Sequence, residues 1–126
     1  MQTAARKAAG DGKRVVQVGS TQRFLESVVS CAFDVPVEGV RSAGRGPAPV
    51  ALTRQVAMYL AHTRLGLSFS AAGAMFDRDR TTAAHACRTV EECRDDERFD
   101  ETLGYLEKTL DIWSQIHARG EVANVG

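Results

Sequence analysis

The apolar residues of this 126-residue chain recur at helical spacing in four separate stretches. Phe24, Leu25, Val28, Val29 and Ala32 form the stripe of a short amphipathic helix, which predicts a first helix over 21–33 with Ser20 or Thr21 as its cap. Pro36 stops it, and Val37 to Val40 can add one further turn. Residues 41–50, rich in Gly and Pro, read as a loop carrying Arg41 and Arg45. Leu52 to Leu65 then presents Leu52, Val56, Tyr59, Leu60 and Thr63 on one face, and Gly66 stands where a left-handed cap would end that helix. Ser68 can cap a short helix to Phe76, whose Ala71, Ala72, Gly73 and Ala74 permit close approach to a neighbour. After the turn Asp77-Arg78-Asp79, a helix from about Arg80 to Arg94 buries Ala83, Ala86, Cys87 and Val90. Phe99, Leu103, Leu106, Leu110 and Trp113 mark a last helix over 97–118, with Gly120 expected to end it.

No strand alternation extends beyond Val15 to Val18, so the expected fold is all-α, with five main helices and one short turn of helix. The expected organisation is a flexible N-terminal tail over 1–20, one domain over 21–118, and a C-terminal tail over 119–126. A short helix, a tight polar turn, and a helix whose start is all hydrogen-bonding groups make a helix-turn-helix, which inserts that start into the major groove of DNA.

Composition alone argues the other way: 16 Lys+Arg against 16 Asp+Glu leave no net charge to attract a polyanion. Placing the charges reverses the inference. Residues 1–40 sum to +1, residues 41–94 to +4 with eight basic residues that are all arginine, and residues 95–126 to −5. The basic segment is the one that holds the helix-turn-helix, and arginine suits phosphates and guanine edges.

Other chemistry finds little support. Cys31, Cys87 and Cys93 stand at unrelated spacings, and with His85 they match no zinc pattern. No metal, cofactor or catalytic residue is expected. Adjacent carboxylates such as Glu91-Glu92 and Asp95-Asp96 diverge on a helix, and no nucleophile and base pair is recognisable, so the chain does not read as an enzyme. His62 and His117 read as exposed helix residues, Met58, Tyr59 and Met75 as core. No apolar run reaches the roughly 20 residues that span a bilayer, and no secretory signal is recognisable. A cytoplasmic, nucleoid-associated protein is the expectation.

Two strings carry more than periodicity: Arg54-Gln55-Val56-Ala57-Met58-Tyr59-Leu60, and Arg78-Asp79-Arg80-Thr81-Thr82-Ala83-Ala84-His85-Ala86. Together they resemble the C-terminal DNA-binding domain of the bacterial replication initiator DnaA, with its RQxAMYL and RDHTTVxHA patterns, over about residues 21–110. The resemblance implies a helix-turn-helix of the DnaA domain IV or TrpR-like kind, with a basic loop before the long helix. It implies base contacts from Arg45 in the minor groove and from Asp79, Arg80 and Thr81 in the major groove of a TTATCCACA-type box. It further implies backbone contacts from Arg41, Arg54, Gln55, Arg78, Thr82, His85 and Arg88.

Three departures stand out. Arg80 replaces the family's histidine, Asp77 its glycine, and the loop's arginines are diluted by Gly44, Gly46, Pro47, Ala48 and Pro49. The phosphate loop GxxxxGK[ST] of the initiator's ATPase module has no counterpart here, so the reading is of a stand-alone DNA-binding protein acting in replication initiation or transcription. One alternative stays open: an adaptor or dimer built on the acidic last helix, with Leu103, Leu106, Leu110, Trp113 and Ile116 as the partner face.

Overall fold

Each apolar stripe becomes a helix. The computed structural model describes residues 12–41 and 48–125, with side chains over 19–41 and 49–118. Among these residues there are six helices and no strand: α1 Gly12–Phe33, α2 Val37–Arg41, α3 Ala48–Thr63, α4 Phe69–Met75, α5 Arg80–Cys93 and α6 Glu97–Val125. α3 is central and packs against α1, α2, α4 and α5, while α6 lies along α1. The pair is antiparallel, since Phe33 meets Phe99 at one end and Phe24 stacks on Trp113 further along, with ring centroids 4.0 Å apart. Among the described residues no helix is long and apolar enough to cross a membrane.

Among the described residues three take positive φ, and each closes a helix. At Gly66 (φ 74) the chain folds back so that Leu67 N–H reaches Ala61 O at 3.1 Å, the stop expected of that glycine. Asp77 (φ 60) occupies the left-handed position of the turn between α4 and α5, where a short polar side chain tolerates what most residues do not. Arg78 N–H then bonds Gly73 O at 2.8 Å and Asp77 N–H bonds Ala74 O at 3.1 Å. Asp34 (φ 55) does the same after α1, with Val35 N–H on Ser30 O at 3.0 Å.

Three boundaries differ from expectation. α1 begins at Gly12, because Thr21 is no cap: its hydroxyl accepts the Trp113 Nε1–H at 3.1 Å and so ties α1 to α6. α3 begins at Ala48, inside the expected loop. Pro49 falls in its first turn, where a missing N–H costs nothing and a fixed φ helps. α6 runs on through Gly120 to Val125, since glycine permits a stop without imposing one and costs only about 1 kcal/mol inside a helix.

The core is one cluster containing Leu25, Val29, Val40, Val56, Leu60, Val90, Leu103 and Leu110, all fully buried. This corrects the partner face expected on the last helix. Leu103, Leu106 and Leu110 are 0%, 5% and 0% exposed, and Trp113 is spent on Phe24 and Thr21, leaving Ile116 as the exposed member of that set. Removing a leucine such as Leu110 from water contributes about 2 kcal/mol. Two histidines are also less exposed than expected. His62 stacks on Phe69 and its Nδ1 lies 2.8 Å from Leu67 O, and His117 sits edge-on to Trp113.

Candidate nucleic-acid interface

The start of α5 is built by two caps and one glycine. Ser68 caps α4 by accepting from Ala71 N–H at 3.1 Å, and Asp79 caps α5 by accepting from Thr82 N–H at 2.8 Å. Between them Gly73 lies against the turn. A Cβ there would come within 2.7 Å of the carbonyl oxygens of both Arg78 and Asp79, so no other residue lets α4 approach the turn this closely.

The first turn of α5 displays Arg80, Thr81 and Thr82, all exposed, followed one turn on by His85 and then by Arg88. The opposite face buries Ala83, Ala86, Cys87 and Val90. Backbone N–H groups at a helix start, with the positive end of its dipole, add a further attraction for phosphate. The Asp79 carboxyl is held below its usual pKa, first by the Thr82 N–H and then by the Thr82 hydroxyl, so it remains an anion and a hydrogen-bond acceptor. Arg78 extends from the turn, its Nη1 donating to Phe76 O at 3.1 Å and to Asp77 O at 3.4 Å. Six of the residues expected to meet DNA thus share one surface: Arg78, Asp79, Arg80, Thr81, Thr82 and His85. Arg88 continues it.

The remaining expectations fare differently. Arg45 lies outside the described residues. Gln55 is half-buried on α3. Arg41 is half-exposed, with its Nε donating to the buried Glu26 carboxylate at 2.7 Å. Gln22 joins the same group, donating to Glu26 at 3.0 Å and to Met75 O at 3.1 Å, so α1, α2 and α4 are stitched together beside the turn.

Arg54 is 4% exposed, and its guanidinium donates to Val40 O at 3.1 Å and Gly39 O at 2.7 Å, within α2. These bonds tie α3 to the helix that leads into residues 42–47. Burial, and then the charge of nearby Arg78, lower its pKa from the usual value.

The basic character of residues 41–94 is also partly spent inside the molecule. Arg64 faces Glu107 and Asp111, each at 3.5 Å, and Arg94 binds Asp100 at 2.5 Å and Glu107 at 2.9 Å. Arg80 and Arg88 carry no ion pair among the described residues. The acids of α6 therefore neutralise arginines at the far end of α5, about 20 Å along its axis from Arg80.

Nothing in the sequence had pointed to Arg94, whose partners Tyr59, Asp100 and Glu107 come from α3 and α6. Among the described residues no group of three or more His, Cys, Asp or Glu could hold a metal ion.

A family model described as the bacterial dnaA protein helix-turn-helix matches residues 24–90, which take in the C-terminal part of α1, all of α2 to α4 and all but the last turn of α5. The chain belongs to this family. It is similar to chromosomal replication initiator protein DnaA 1 of Protochlamydia amoebophila, with 33% identity over 93 residues, 73% of this chain and 20% of the relative. It is similar also to DnaA 2 of Chlamydia trachomatis, 38% identical over 73 residues, 58% of this chain and 16% of the relative. The DnaA of Bordetella pertussis is 36% identical over 103 residues, 78% of this chain and 22% of the relative. The chain thus spans about a fifth of the length of these relatives. Membership makes this a DNA-binding domain of the dnaA helix-turn-helix kind.

Proposed function

We propose that the domain binds duplex DNA in a sequence-specific way, with the first turn of α5 in the major groove at a site related to the TTATCCACA box of the initiators. The observation that supports this most is the exposed run Asp79, Arg80, Thr81 and Thr82 on a helix whose other face is fully packed. Each side chain has a suitable target: the Asp79 carboxylate can accept from cytosine N4, Arg80 can fork onto guanine O6 and N7, and the Thr81 methyl can pack on a thymine methyl. Thr82, His85, Arg78 and Arg88 would reach phosphates, and Arg45, from the loop, the minor groove.

Asp79 has a double duty, because one carboxylate oxygen already holds Thr82 N–H. Cap and base contact are compatible, since a carboxylate accepts several hydrogen bonds. In the cell the domain would act at the chromosome, in replication initiation or in transcription control through the same sites.

Selection from a randomised duplex pool tests the reading. An enriched motif is expected, and Arg80→His is expected to move it toward TTATCCACA. A pool with no enrichment at 200 mM salt refutes specific binding, and a motif unaltered by Arg80→His removes Arg80 from the readout.

A further inference from the structure

The recognition helix is held at its far end by one arginine. Arg94 is the C-cap of α5, and its guanidinium reaches both α3 and α6. Nε donates to Asp100 Oδ1 at 2.5 Å, Nη1 to Glu107 Oε2 at 2.9 Å and to the Tyr59 hydroxyl at 3.0 Å, and Nη2 to Glu107 Oε1 at 3.3 Å. Tyr59 Oη in turn donates to Glu91 on α5 at 2.7 Å. Four charge-assisted bonds on one planar group leave it little freedom to turn.

Along its length α5 packs on α3 and α4, but through small side chains. Its inner face is Ala83, Ala86, Cys87 and Val90, and small apolar side chains offer non-directional contact with few ridges to resist sliding or rotation. From Arg94 to Arg80 the helix rises about 20 Å, so a tilt of only about 5° about the clasp moves the first turn by roughly 1.7 Å. Hydrogen bonds to base edges tolerate a fraction of that, being confined to roughly 2.7–3.2 Å. Phosphate contacts from long arginines tolerate far more.

We propose that Arg94 is a positioning residue for base readout: through Tyr59, Asp100 and Glu107 it sets the orientation of α5 and thereby sequence discrimination, without touching DNA. The inference rests on the sequence-specific reading above.

The test compares the full chain with Arg94→Met and Arg94→Lys on the selected duplex and on a scrambled duplex at equal salt. The DNA-competent fraction is measured by stoichiometric titration. Arg94→Met is expected to weaken the selected duplex at least tenfold and the scrambled duplex less than twofold. Arg94→Lys, which keeps the charge but not the fork, should fall between. Where Arg94→Met fails to fold, Tyr59→Phe removes the hydroxyl between Arg94 and Glu91 and Asp100→Ala the acceptor of Arg94 Nε, and each should lower the ratio about threefold. Loss of folded protein lowers both affinities by one factor, so an unchanged ratio across these variants overturns the proposal while leaving specific binding intact. A wild-type chain with no preference between the duplexes overturns both.

Discussion

Arg54→Met is the sharpest probe of the structure, because it separates the residue's bonds to α2 from the DNA contact that the family pattern implies. In the fold its guanidinium satisfies Val40 O in a buried bond and Gly39 O in a partly buried one. Methionine fills most of the volume and donates nothing. Each carbonyl deprived of its donor costs about 1–3 kcal/mol, and the partly exposed one recovers water, so the expected loss is about 2–3 kcal/mol. Against a total stability of roughly 5–15 kcal/mol that is large, and it should appear as a fall in melting temperature of about 10–15 °C. Urea denaturation measures the loss. A DNA titration across salt separates the roles, since each phosphate neutralised adds about 0.9 to the slope of log K against log salt. With folded protein held equal, Arg54→Met should leave that slope unchanged, and Arg88→Ala should make it shallower by about one. A variant within 0.5 kcal/mol of wild type whose slope drops by one would show that Arg54 serves a phosphate and that the carbonyl contacts are incidental.

Other outcomes follow from the same geometry. Gly73→Ala should destabilise by about 2–3 kcal/mol in urea melts, because its Cβ would stand 2.7 Å from two carbonyl oxygens of the turn. Asp77→Gly should raise stability by about 0.5–1 kcal/mol, relieving a side chain held at φ 60, with thermal denaturation as the measurement and a lowered midpoint as the contrary result. Asp79→Asn should keep the cap on Thr82 and the melting temperature while altering base preference in a selection experiment, whereas Asp79→Ala should lose both. Glu107 is pushed below its ordinary pKa of 4.5, chiefly by its hydrogen bonds to Arg94. A depressed folded-state pKa contributes stability above about 4.5 that is lost as pH falls through the lower folded value. Glu107→Gln should therefore flatten stability against pH below about 4.5, and an unchanged acid profile would exclude the ion pair as its source.

What a few neighbouring residues can encode was legible in advance. Helical periodicity located the four longer helices and Pro36 and Ser68 the two short ones, the Ser68 and Asp79 caps lie within three residues of the N–H groups they bind, and the left-handed stops at Gly66 and Asp77 follow from the residue and its immediate neighbours. The surface of the helix-turn-helix was legible for the same reason: Arg80, Thr81, Thr82 and His85 face outward because Ala83, Ala86 and Val90 face inward on one helix. Tertiary structure alone decided the fate of groups whose partners are remote in sequence. Thr21 reads as a cap until Trp113, 92 residues away, takes its hydroxyl. The bond of Arg54 to Gly39 O and the convergence of Tyr59, Asp100 and Glu107 on Arg94 likewise exist only once the helices meet. The stripe of α6 showed an apolar face without showing what would cover it. Periodicity fixes which side of a helix is buried, but hydrophobic attraction has no direction, so only the meeting of helices determines which face, and which charge, it is buried against.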